Sequence, residues 1–194
     1  MKLHLFKHFN NLDITATSLL TLLAIYNNQV TIFYILYLFW WNEVIYTAVT
    51  FYYKKRSGFV IGLGSKLFLL GIYWFFIVLF FGFIAPHQNY NLVALNFEVI
   101  FFKNLFFNLN LLFFGGELIW LYYNNPDLIE KSTIHPFSAR AVILHISIIL
   151  GAIMMMMVVP SFSNFFTPDN NWSSIVIILP FILLRYFFQR SSLL

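Results

Sequence analysis

The chain contains no cysteine, which removes disulfide frameworks, thiol nucleophiles and cysteine-ligated metal sites, and leaves its redox compartment unread. Charge is almost as scarce: Asp, Glu, Lys and Arg make up 9% of the 194 residues, against about 25% in soluble domains. The formal charge of +4 does not point to nucleic acid, because no basic stripe carries interleaved stacking aromatics. Catalytic motifs are missing as well. The run from Gly62 to Lys66 lacks the spacing of a phosphate loop and has no strand before it. No Gly-x-Ser-x element accompanies a histidine, and no paired aspartates stand within an apolar run, which argues against intramembrane serine and aspartyl proteases. Met154–Met157 are consecutive and circle a helix, so they cannot present thioethers on one face for copper. No metal or cofactor is expected. The two halves share no repeat, which withholds support from inverted-repeat transport.

What the chain does have is apolar length. Hydrophobic residues make up 61%, and the mean hydropathy is +0.81. One soluble core could not hide that much apolar surface. Six runs approach the roughly 20 residues that cross a bilayer: Leu12–Tyr26, Thr31–Tyr53, Leu67–Ala85, Asn104–Tyr123, Arg140–Val159 and Trp172–Phe188. The first and last are short and call for tilt or local thinning. Lys2 and Lys7 before the first run resemble a signal peptide's start, but no small-x-small cleavage site follows, so an uncleaved helix is expected. Pro86 and Pro160 end two runs where a helix cannot continue cleanly. Asn96–Lys103 reads as an interfacial helix leading into the fourth run. The expectation is a single all-α domain over residues 1–194, a polytopic bundle of six transmembrane helices.

Cations set the expected orientation. Lys2 and Lys7, then Lys54, Lys55, Arg56 and Lys66, then Lys131 and Arg140, and finally Arg185 and Arg190 all fall on one side of such a bundle. The positive-inside rule places that side, with both termini, in the cytoplasm. The chain is therefore expected in the cytoplasmic (inner) membrane. Arg140, Arg185, Lys54, Lys55 and Arg56 read as anchors for lipid headgroups at the interface.

Ionisable groups inside the spans are costly and become the default candidates for function. Glu43 lies mid-span beside Asn42, Glu117 follows Gly115 and Gly116, and His145 lies five residues beyond Arg140. At 1.5 Å per residue their depths come to roughly 15, 9 and 8 Å, all in the cytoplasmic half. Asn110 lies seven residues before Glu117, on the same helix face. The expectation is a buried polar cluster of Glu43, Asn42, Glu117, Asn110 and His145. Each also has a plainer reading: a neutral packing acid for Glu43, snorkelling for Glu117, an interhelical hydrogen bond for His145.

Arg140, Leu144, His145 and Gly151 in the fifth run, with Leu38 to Glu43 in the second, resemble the Arg–Leu–His–Gly and aromatic–Trp–x–Glu–Asn elements of an uncharacterised prokaryotic membrane-protein family. The acid and amide stand here in swapped order, which turns the carboxylate by about 100° around the helix. The resemblance implies several packed helices and no assigned activity. Three functions follow from the residues. One is a non-catalytic membrane subunit, or a protein that assembles complexes or organises lipids, with the bilayer, other subunits or a second copy as partners. Another is a small transporter or channel using Glu43, Glu117 and His145. The third is a lipid-headgroup enzyme with His145 and Glu117 as acid and base.

Overall fold

The structure, a computed structural model, describes residues 15–54, 62–127, 129, 132, 134–162, 164 and 171–191, with side chains in the last stretch described for 175–184 and 186. The described residues are helical, with no strand among them. The helices are α1 (Thr15–Tyr26), α2 (Ile32–Lys54), α3 (Leu63–Ile84), α4 (Tyr90–Ile100), α5 (Leu105–Asn124), α6 (Ala139–Ser161) and α7 (Asn171–Ser191). Four stretches are long and apolar enough to cross a membrane: α2, α3, the α4–α5 stretch Tyr90–Asn124, and α6. Thr15–Tyr26 and Ile175–Leu184 are shorter apolar helices.

Local chemistry sets the ends. Asn28, at φ 55°, takes the left-handed turn after α1, a conformation that short polar side chains tolerate. Thr31 then caps α2 by accepting from Tyr34 N–H at 3.0 Å. Gly62, at φ +90°, opens α3, and a Cβ there would lie 3.0 Å from the Ile134 carbonyl oxygen. Both the backbone angle and the close approach require glycine. Asn89, Asn104 and Ser138 cap α4, α5 and α6 through their side chains. The interfacial helix expected over Asn96–Lys103 is instead α4, which begins at Tyr90 and stops at Ile100. Phe102, at φ 56°, then turns the chain into α5.

Proline widens two helices. The stretches Ile77–Ile84 in α3 and Met154–Val158 in α6 wind as π-helix, just before Pro86 and Pro160. Proline has no N–H for the preceding turn and crowds its carbonyls. The Asn96 side chain covers the carbonyls left before Pro86, donating to Phe81 O and Gly82 O at 3.2 Å each.

Helix α2 is the hub. Every residue from Ile32 to Phe39 is buried, so this half of the helix is covered on all sides. It touches α3, α4, α5, α6 and α7. Tyr34 meets Asn110 and Thr50 meets Tyr122, so α5 runs parallel to α2. Lys66 meets Glu43 while Gly82 faces Phe33, so α3 runs antiparallel. Helix α6 is antiparallel too, with Ser138 at Glu43 and Gly151 against Ile32 and Leu36. The outer faces carry large exposed apolar groups, among them Phe68, Phe75, Leu112 and Met156.

Candidate functional site

Three helices converge on one buried carboxylate. Glu43 lies mid-way along α2, Lys66 in the first turn of α3, and Ser138 is the N-cap of α6. Both charged side chains are almost fully enclosed, with 2% of Glu43 and 1% of Lys66 exposed. The Lys66 ammonium donates to Glu43 Oε1, to Ser138 Oγ at 2.8 Å and to the His135 carbonyl at 3.2 Å. The Ser138 hydroxyl in turn donates to Glu43 Oε1 at 3.1 Å. Thr47 Oγ1 donates to the Glu43 carbonyl at 2.8 Å, fixing the next turn of α2.

An ammonium has three protons, and here each has an acceptor. That saturation allows a buried pair to persist, because desolvation of two charges is offset only by close geometry and complete hydrogen bonding. It also decides the chemistry. A serine beside a lysine resembles a nucleophile–base dyad, but a lysine acting as base needs a free lone pair. Lys66 is committed to a carboxylate and a carbonyl, and the Ser138 proton points at Glu43. The arrangement ties α2, α3 and α6 together and leaves Lys66 no lone pair with which to act as a base.

The segment leading into α6 lies over the pair. Lys54 Nζ donates to the Ser132 carbonyl, Ile134 lies buried against Gly62, and His135 presents its carbonyl to Lys66. The connection after α5 is thus attached to the ends of α2 and α3.

The structure distributes the other expected residues among separate places. Asn42 is buried beside Glu43, with no hydrogen-bond partner for Oδ1. Asn110 is buried but donates to Tyr34 OH and the Phe106 carbonyl, both at 3.1 Å. Tyr34 lies nine residues before Glu43 on α2, about 14 Å along the axis. Glu117 is half-buried on α5 and is not a partner of Lys66 or Ser138. His145 faces outward, with its Nδ1 2.9 Å from the Tyr73 hydroxyl. The five residues expected in one cluster therefore do not form a single hydrogen-bonded group, because α5 and α6 turn Asn110 and His145 toward other neighbours.

Among the expected headgroup anchors, Lys54 bonds the Ser132 carbonyl, and Arg140 is half-buried between two rings. Its Cζ lies 4.8 Å from the Tyr46 ring centroid and 5.5 Å from that of Phe114. Lys55 and Arg56 lie outside the described residues, as does the side chain of Arg185. Among the described residues, no group of three or more His, Asp or Glu is placed to hold a metal ion.

The sequence alone does not single out Lys66 or Ser138. Lys66 reads as one of the loop cations because it follows Lys54, Lys55 and Arg56 on the same side. Yet a charged mid-span glutamate calls for a cation, and Lys66 stands at the mouth of the next helix. Ser138, immediately before an apolar run, has the sequence signature of an N-cap. The chain matches no protein-family model, no curated protein and no solved structure.

Proposed function

We propose that the chain is a six-span protein of the cytoplasmic (inner) membrane, with both termini in the cytoplasm, acting as a non-catalytic subunit or as an assembly or lipid-organising protein. Four long apolar helices and two shorter ones support the six spans, and the lysines and arginines on alternate connections support the orientation. The observation that carries the non-catalytic reading is the saturated Lys66 ammonium. A residue with every proton placed, inside a junction of three helices, fits a clamp better than a reacting group. The partners under this reading are lipid and other membrane subunits or a second copy.

Native mass spectrometry of the protein gently extracted from its own membrane tests this reading. A partner at fixed stoichiometry, or a defined set of retained lipids, supports it. A bare monomer that restores solute flux in vesicles overturns it.

One observation favours transport instead. Trp41 Nε1, Asn42 Oδ1, Asn110 Oδ1 and Ser147 Oγ are buried without hydrogen-bond partners, and unpaired polar atoms are what a solute or water path would use. Under that reading Glu43→Gln stays folded and abolishes flux. The headgroup-enzyme reading loses its acid–base pair, because the ring partner of His145 is Tyr73 rather than Glu117.

A further inference from the structure

Among the cations of α2, α3 and α6 whose surroundings the structure shows, Arg140 differs from the lysines in one respect. Lys66 is spent on Glu43, Ser138 and His135, and Lys54 on Ser132. Arg140 touches two aromatic faces and, among the described residues, has no hydrogen-bond acceptor for any of its N–H groups. The guanidinium carbon of Arg140, on α6, lies over the rings of Tyr46 on α2 and Phe114 on α5. A guanidinium is a rigid fork of donors that matches two oxygens of one phosphate. The Glu43 carboxylate is already matched by Lys66, and Arg140 keeps its positive charge without an ion-pair partner among the described residues. The packing beside Arg140 is apolar and aromatic: Ile45 and Val49 pack with Phe114 and Leu118, and Tyr53 with Tyr122.

We propose that Arg140, held by Tyr46 and Phe114, binds the phosphate of an anionic phospholipid. This deepens the lipid-organising arm of the function above and rests on the chain being membrane-embedded. Arg140 changes from a general interfacial anchor into a selective one: the planar cation is fixed before the lipid arrives, so binding does not have to order a long side chain.

The test is a titration of the full chain in detergent with phosphatidylglycerol, phosphatidylcholine and inorganic phosphate, read by native mass spectrometry. One phosphatidylglycerol should bind in preference to phosphatidylcholine. Arg140→Gln should weaken that binding about tenfold, the loss of one charged contact worth about 1.4 kcal/mol. Arg140→Lys should weaken it severalfold although the charge remains, because an ammonium offers no fork. Tyr46→Leu should do the same by removing one ring from the guanidinium, and it carries the test if Arg140→Gln fails to fold. Lys54→Gln should leave binding unchanged. Equal binding by wild type and Arg140→Lys overturns the proposal, since any charge would then suffice. So does displacement of the lipid by inorganic phosphate, which would make the ligand a free anion. A chain that leaves the membrane without detergent contradicts the membrane reading itself, and that outcome is separate from an embedded chain showing no lipid preference.

Discussion

Helix α2 is pinned in its middle and at its start by opposite chemistries. Mid-helix, charge does the work: Glu43, Lys66 and Ser138 join three helices through an ion pair with every ammonium proton placed. At the start, neutral amides do it. Thr31 donates to Asn96 Oδ1 at 2.8 Å, Asn96 donates to the carbonyls of Phe81 and Gly82, and Asn104 donates to the Gln29 carbonyl at 3.4 Å. The charged junction fails if one partner is missing, because a lone buried charge is left behind. The amide junction loses only the hydrogen bonds removed, plus the carbonyls they covered. The same helix therefore carries a brittle fastening and a forgiving one.

The largest effect should come from Lys66→Met, which leaves Glu43 buried and unpaired. We expect a loss of about 3–5 kcal/mol, seen as a lower unfolding midpoint in a detergent titration. Asn96→Ala should cost less, about 1–3 kcal/mol, through the exposed need of Phe81 O and Gly82 O. A cost equal to that of Lys66→Met would erase the contrast between the two fastenings. Ser138→Ala removes both an N-cap and the hydroxyl bridge, and should cost about 1–2 kcal/mol. Ser138→Thr should recover much of that loss, because the hydroxyl is kept. His145→Ala, which breaks only the outward contact with Tyr73, should cost about 0.6 kcal/mol. A larger loss in a membrane than in detergent would show that another chain covers that face.

Hydropathy made the helical class legible, since runs of apolar residues broken by Asn, Pro and Gly leave little choice of secondary structure. The break at Pro86 and the start at Asn104 were legible too, because those residues act through their own backbone or caps. Partner choice was not. Glu43 stands out in the sequence as a costly mid-span acid, but Lys66 hides among cations that topology already explains. Asn96 reads as a polar residue near an interface. Its role depends on the carbonyls that Pro86 strands on a different helix, and no spacing within α4 reveals it. Depths in the same half of the expected bilayer suggested that Glu117 and His145 would reach Glu43. Depth fixes only one coordinate, and the rotation of each helix, set by packing around α2, fixes the other.

The Glu43–Lys66 pair is a clamp rather than a working site. A double-mutant cycle with Glu43→Gln, Lys66→Met and the pair together, read by unfolding in detergent, separates the two roles. For a clamp, each single change is strongly destabilising and the double variant regains most of the loss, with assembly or lipid retention intact. Single variants as stable as wild type that have lost a transport or binding activity would contradict it.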